Sequence, residues 1–369
     1  MPPRRVLFAL PNLRGGGAER VMVTLLRHLD RARFEPHLAL VEADGPYLAD
    51  VPADVPVHDL ATSRLRHAVP RLLRLVWRLR PAAIVSTQGY MNFALLLVQR
   101  LLPRRTRLVV REVIGERYLE NSPHRERLFR LYLRRVRAAD RIVTQSDGAA
   151  RDMAARIAAR PGQVLRIYNP VDVDRIARDA SAGGSPFRDP GPHLVAAGRI
   201  TAQKGFDMLL DALARVRAAG VTARLTILSE GPDRDALARR ADALGLRDAV
   251  AFAGFQENPF RWFGAADLFV LSSRYEGLPN VVLEALAAGC PVAAFACSDG
   301  VRELIVDGVN GRLVPPGDVD GLARAIVDLI GEPGMLARVR GRIPETLAPF
   351  TAPNVTRGWE RMLDDALAS

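Results

Sequence analysis

A strand–turn–helix unit recurs along this chain, and that alternation limits the fold more than any other feature. Short apolar runs at residues 5–10, 34–41, 82–86, 107–111, 141–144 and 164–168 are separated by loops and amphipathic stretches, with a first helix expected over 18–29. Strands alternating with helices imply a parallel sheet covered on both faces. The tract 179–186, Asp-Ala-Ser-Ala-Gly-Gly-Ser-Pro, is small and polar and marks a linker. A fresh series follows, with strands at 193–197, 223–228, 250–252, 268–271 and 291–295 and helices over 205–218, 233–243, 279–288 and 319–329. The 369 residues exceed what one core usually organises. The expectation is α/β: two doubly wound domains with a cleft between them, ligands sitting at the carboxyl ends of the strands.

Composition excludes several classes. No apolar run approaches the 20 or so residues of a membrane-spanning helix. The opening Met-Pro-Pro-Arg-Arg-Val-Leu-Phe-Ala-Leu-Pro has too short an apolar core for a signal peptide and reads as a first strand. Cys290 and Cys297 form no CxxC pair, and six scattered His make no metal-ligand pattern. Buried thiols in a reducing cytosol are the simplest account. Formal charge is +11, unevenly placed: residues 1–180 hold 32 Arg against 18 Asp and Glu, whereas residues 181–369 hold 20 basic against 23 acidic groups. A basic first half suits an anionic partner such as a phospholipid surface, a phosphate-bearing acceptor or nucleic acid.

Of the 52 basic residues, 51 are arginine, and the single lysine is Lys204. Lysine is a compact point charge and arginine a planar fork, so a site fitting one phosphate oxygen can reject the fork. Lys204 stands in Gly198-Arg199-Ile-Thr-Ala-Gln-Lys204-Gly205, between an expected strand and an expected helix. Two cations five residues apart on such a loop can straddle a diphosphate and stabilise it as it departs. A surface loop with two solvated cations is the plain alternative.

The segment Arg274-Tyr-Glu276-Gly277-Leu278-Pro279-Asn280-Val-Val-Leu-Glu284-Ala-Leu-Ala-Ala-Gly-Cys-Pro-Val carries the strongest signal. A strand ends before it, Pro279 is expected to open a helix, and the free amides there form an anion site. Glu284 lies five residues further, roughly 7.5 Å along the axis, a reach that suits ribose hydroxyls when phosphates lie at the helix tip. Glu276, on the loop before, would face a sugar beyond the phosphates. Glu230-Gly231 and Phe255 end two further strands and could approach a base or ribose, and residues 298–303 could bring amides toward the sugar. After the first strand, Gly15-Gly16-Gly17-Ala-Glu19-Arg20 allows close approach of backbone to ligand, though a tight turn explains it equally.

Together the E-x7-E spacing of Glu276 and Glu284, the GRxxxxKG loop at 198–205 and the Gly-Gly-Gly-Ala-Glu-Arg loop at 15–20 resemble the GT-B glycosyltransferases of family 4, over about residues 5–330. Residues 297–303, Cys-Ser-Asp-Gly-Val-Arg-Glu, look like the variant of bacterial enzymes that build lipid-linked or surface polysaccharides. The resemblance implies a GT-B fold of two Rossmann-like domains: an acceptor domain at 1–180, a nucleotide-sugar domain at 190–345, and a last helix, 350–369 around Trp359, crossing back to the first. It implies transfer with retention from a UDP- or GDP-sugar to a lipid-linked or oligosaccharide acceptor, no cofactor and no metal. Arg199 and Lys204 would bind the diphosphate, Glu284 the ribose and Glu276 the donor sugar. Glu230, Gly231, Phe255, Gly277, Leu278, Pro279 and Asn280 would complete the donor site, and Gly15, Gly16, Gly17, Glu19, Gln88 and Asn92 the acceptor side.

There is one departure. Many members carry a His after the strand at 82–86, where this chain reads Ser86-Thr-Gln88-Gly-Tyr90-Met-Asn92. Gln88 cannot act as a base, so Gln88 or Asn92 is expected to orient rather than ionise, and a donor phosphate oxygen to take the acceptor's proton. Residues 63–80 alternate cations with Leu, Val and Trp77, and 125–141 form a second basic stretch. Either a solvated arginine face or a peripheral membrane contact accounts for them, the latter at the inner face of the plasma membrane in an otherwise cytoplasmic protein. A sugar-nucleotide epimerase or a phosphorylase is the rival on the same fold. A nucleic-acid-binding protein is the rival outside it, and the chain lacks the stacking platforms expected there.

Overall fold

The computed structural model describes residues 2–112 and 123–368, which divide into two compact units, Met1–Pro170 with Ala352–Ser369, and Val171–Thr351. The first unit contains a seven-stranded sheet of β1 (Arg4–Leu10), β2 (Phe34–Leu40), β3 (Val57–Asp59), β4 (Ala83–Thr87), β5 (Arg107–Arg111), β6 (Arg141–Thr144) and β7 (Val164–Arg166). Its order is β3-β2-β1-β4-β5-β6-β7, and every pairing is parallel. Strands such as Val6–Leu10 and Leu108–Val110 are buried on both faces, which is why they read as continuous apolar runs rather than alternating ones.

Two apolar layers flank this sheet. On one face the helix Gly17–His28 and the returning helix Ala352–Ala368 supply Met22, Leu25, Leu26, Trp359 and Leu363. The return is tied by polar bonds as well: the Asp30 amide donates to Glu360 at 2.9 Å, and Arg33 pairs with Glu360 at 3.0 Å. On the other face the helix Leu65–Leu79 buries Ala68, Leu72, Leu75 and Val76 beside Met91, Leu95, Tyr132 and Val136. Its outer face is basic. Residues 60–111 contain eleven Arg and no Asp or Glu, and Trp77 is 52% exposed, its indole N–H donating to the Leu101 carbonyl at 2.9 Å. The side chains at the start of the 125–141 stretch lie outside the described residues. Among the described residues no helix is long and apolar enough to cross a membrane.

The second unit holds β8 (His193–Ala197), β9 (Arg224–Leu228), β10 (Val250–Gly254), β11 (Leu268–Leu271), β12 (Val292–Phe295) and β13 (Gly311–Val314), in the order β10-β9-β8-β11-β12-β13, again all parallel. Two findings correct the sequence reading. The unit boundary falls at Pro170/Val171 rather than near 180. Residues expected in the first domain form the helix Val173–Ser181, capped by Asp172, whose carboxylate accepts from the Arg175 amide at 3.1 Å. This helix packs so closely on the helix Phe260–Ala265 that a Cβ on Gly264 would meet Ala180 Cβ at 2.9 Å. Secondly, the edge strands β3 and β13 had no counterpart in the expected series. β3 is exposed at both ends and β13 is buried only at its two ends, so neither reads as the continuous apolar run that marks strands buried on both faces.

Candidate functional site

In each unit the strand order reverses at one place, and in open α/β sheets ligands bind there, beyond the carboxyl ends of the strands. In the second unit that place lies between β8 and β11. The loops leaving these two strands are 198–205 and 272–279, which carry the residues singled out from sequence.

These loops are held together by backbone. The Arg274 amide donates to the Gln203 carbonyl at 2.8 Å, Ser272 Oγ to the Lys204 carbonyl at 2.9 Å, and Gln203 Nε2 to the Tyr275 carbonyl at 3.2 Å. The Arg274 guanidinium forks onto both oxygens of Asp207, at 2.8 and 2.6 Å, and that bond holds the Asp207 carboxyl below its ordinary range. Gly205, at φ +62°, lies so near β11 that a Cβ would sit 2.1 Å from the Ser272 carbonyl oxygen. Only glycine combines that backbone with that approach.

Across this junction Lys204 Nζ donates to Glu276 Oε1 at 2.6 Å, and Ser273 Oγ donates to the same oxygen at 2.7 Å. The Lys204 and Glu276 side chains are 17% and 10% exposed, so the pair is shielded from much of the screening that weakens surface ion pairs. The lysine stem runs along Gly198, where a Cβ would lie 2.7 Å from Lys204 Cε. Arg199, by contrast, is exposed and has no side-chain partner among the described residues. A paired ammonium thus lies five residues along the chain from an unpaired guanidinium at Gly198–Gly205.

The helix after β11 runs Asn280–Ala287, so Pro279 precedes it instead of opening it. Pro279 has extended backbone (φ −74°, ψ 106°), and its carbonyl accepts from the Val282 amide at 3.0 Å. Glu284 lies on this helix, 8% exposed, and Leu278 is buried. Gly277 is locked from behind: its carbonyl accepts from Ser298 Oγ at 2.9 Å, and a Cβ on Gly300 would meet that carbonyl at 2.1 Å. The segment 298–303, read from sequence as a turn, forms instead the helix Asp299–Leu304 capped by Ser298, and it braces the Gly277–Leu278 backbone. The loop after β9 is fastened to the Lys204 loop in the same way, the Ile200 amide donating to the Glu230 carbonyl at 2.9 Å. Gly231 lies against Ile200, where a Cβ would be 2.2 Å from its carbonyl oxygen. Ser229 holds a left-handed φ of +104°, uncommon for a residue with a Cβ and a form of stored strain. Phe255, after β10, is 64% exposed.

The first unit repeats the arrangement between β1 and β4. Gln88, which precedes the helix Gly89–Val98, has φ +71° and donates its amide to Glu19 Oε1 at 2.8 Å. Glu19 folds back over the glycine loop, so that a Cβ on Gly16 would lie 2.2 Å from Glu19 Oε2. Gly15 takes φ +107°, and Gly17 is the first residue of its helix. Asn92 departs from expectation. It is fully buried, accepting from Ser86 Oγ at 2.7 Å and donating to the Arg111 carbonyl at 3.0 Å. Its amide is committed to bracing β4 against β5, which leaves Gln88 as the polar group at that turn. Sequence reasoning missed Arg111. It is fully buried, donates to Thr87 Oγ1 at 3.2 Å and Asn169 Oδ1 at 2.6 Å, and is lowered to about 10 by burial. Beside it Tyr132 donates to Glu112, and burial raises the phenol above its ordinary value.

Comparison with known proteins agrees with this geometry. Residues 15–175 match the family model described as Glycosyltransferase Family 4, and residues 191–332 that of Glycosyl transferases group 1. The chain is 36% identical over 194 residues to the lipopolysaccharide core biosynthesis glycosyltransferase LpsE of Rhizobium meliloti, covering 52% of this chain and 54% of that protein. It therefore spans about half the length of that relative. A longer match, 28% identical over 82% of this chain and 84% of the relative, is the N-acetylgalactosamine-N,N'-diacetylbacillosaminyl-diphospho-undecaprenol 4-alpha-N-acetylgalactosaminyltransferase of Campylobacter jejuni. Among solved structures, Anabaena HepE in complex with UDP superposes with a TM-score of 0.78 at 20% identity, over 98% of this chain and 100% of HepE. The two parallel-sheet units are those of the GT-B fold, and the chain belongs to the family 4, group 1 glycosyltransferases.

Proposed function

We propose that this chain is a retaining glycosyltransferase that moves a hexose or N-acetylhexosamine from a UDP- or GDP-sugar to a hydroxyl of a lipid-linked or glycan acceptor in cell-surface polysaccharide assembly. The observation that carries the reading is the ion pair of the one lysine with Glu276 across the β8/β11 junction, near an unpaired Arg199. Arg199, Lys204 and the amides opening the helix Asn280–Ala287 would take the diphosphate. Glu284 would take the ribose, Glu276 the sugar, and Glu230, Gly231 and Phe255 the nucleoside. Charge growing on the leaving diphosphate is then met by fixed cations and a helix end, which is the role a metal would otherwise fill, so no cofactor is assigned.

On the acceptor side the loop Gly15–Gly17, Glu19 and Gln88 would orient the hydroxyl, and a donor phosphate oxygen would accept its proton on the face the sugar leaves. The named partners of relatives support this choice: HepE was solved with UDP and glucose, and the Campylobacter relative is named for a diphospho-undecaprenol-linked sugar. A melting-temperature screen against UDP-, GDP- and ADP-sugars in EDTA tests it. One UDP- or GDP-sugar should raise the transition, and turnover with that donor should persist in EDTA and fall in Gln88→Ala. No shift from any donor would end the proposal.

We also place the chain at the inner face of the plasma membrane. The acid-free stretch 60–111 and the half-exposed Trp77 support this, because arginines attract anionic headgroups and the indole suits the interface. The chain should sediment with phosphatidylglycerol-containing vesicles at low salt and be released at high salt. Recovery in the supernatant under both conditions would refute the placement.

A further inference from the structure

Glu276 is gripped on one side only. Both of its bonds, from Lys204 Nζ at 2.6 Å and from Ser273 Oγ at 2.7 Å, end on Oε1. Its Oε2 has no bond among the described residues, and it is not among the buried polar atoms that lack a partner. The two donors come from different elements. Ser273 follows β11 and is 1% exposed, so its hydroxyl is fixed by its surroundings. Lys204 ends the loop after β8, with its carbonyl pinned by Ser272 Oγ at 2.9 Å.

We infer that Ser273 and Lys204 form a two-donor clamp on Oε1 that fixes the Glu276 carboxylate and reserves Oε2 for a hydroxyl of the transferred sugar. Ser273 is then a positioning residue, acting only through Glu276. The inference rests on the donor reading above and adds to it a reason for the one lysine. An ammonium has three diverging N–H groups, so it can spend one on Oε1 and keep the others for a diphosphate. A guanidinium at the same place tends to spend its fork on both oxygens of one carboxylate, which would occupy Oε2. The packing agrees, since Gly198 leaves room for the stem that brings Nζ to Oε1.

The test is a double-mutant cycle on the full chain, with UDP as the binding probe and UDP-glucose as the donor. Lys204→Arg keeps the charge, so UDP affinity should stay within about threefold while kcat falls roughly a hundredfold, as it should in Glu276→Gln. The double variant should be no worse than about threefold below the weaker single, because both changes break one unit. Ser273→Ala should lower kcat about tenfold with UDP affinity unchanged, Ser273→Cys should recover part of it, and Ser273→Ala should add nothing on top of Glu276→Gln. Losses that multiply, normal turnover in Lys204→Arg, or wild-type kcat in Ser273→Ala would each overturn the clamp. If Ser273→Ala fails to fold, the Lys204–Glu276 cycle decides alone. Absence of UDP binding and UDP-glucose turnover in the wild type overturns the clamp. A GDP-sugar active in the donor screen would leave the donor reading standing in that case.

Discussion

Lys204→Ala should cost two to three orders of magnitude in kcat/KM, about 3–4 kcal/mol of transition-state stabilisation. Two effects add. The diphosphate loses a cation that is part-buried and so acts in a medium of lower dielectric than water. Glu276 loses the ammonium bonded to Oε1 at 2.6 Å, and only Ser273 then restrains it. UDP affinity should fall as well, which separates this variant from Lys204→Arg. Steady-state kinetics and calorimetric UDP titration check it, and a loss below about fivefold would show that the lysine is not part of the site.

Gly205→Ala should act on structure first. At φ +62° alanine bears the modest strain of a left-handed backbone, but its methyl would also lie 2.1 Å from the Ser272 carbonyl. Backbone cannot turn aside as a side chain can, so β8 and β11 must part at their carboxyl ends. The bonds Arg274 N–Gln203 O and Ser272 Oγ–Lys204 O cross that gap. A destabilisation of roughly 3–4 kcal/mol in the transition of the second unit is expected, with sugar transfer lost. Gly220 is the comparator. Its φ is +91°, but nothing lies within 4 Å of its would-be Cβ, so Gly220→Ala should cost only about 1–2 kcal/mol, the strain alone. Urea melts of the two variants distinguish the cases, and equal destabilisation would refute the contact argument.

Strands buried on both faces announced themselves, because a continuous apolar run has few other uses. The edge strand Val57–Asp59 did not, since it is three residues long with Val57 39% exposed. The helix Val173–Ser181 was hidden for a related reason: Ile176 is its one buried residue, and its other positions read as polar linker. At the site, residue types and loop positions were legible, whereas partners were not. Lys204 and Glu276 are 72 residues apart, and nothing local to either says that they meet. Ser273 gave no signal, because one hydroxyl in a loop resembles any other. Asn92 misled in the opposite sense. A polar residue just past a strand looks ligand-facing, yet the fourth residue of the following helix turns back toward β4 and β5, where its amide bonds both. Arg111 was passed over as one arginine among many, and only its burial distinguishes it.

The return of residues 352–368 to the first sheet sets an order of events during synthesis. The unit that holds residues 2–170 is completed only after Val171–Thr351 has been made. While the intervening unit is made, the side of the first sheet that will receive Val355, Trp359, Met362 and Leu363 stays uncovered. Until synthesis has passed Trp359 that face cannot be closed by its tryptophan, so the second unit is free to mature while the first still waits for its lid of helix.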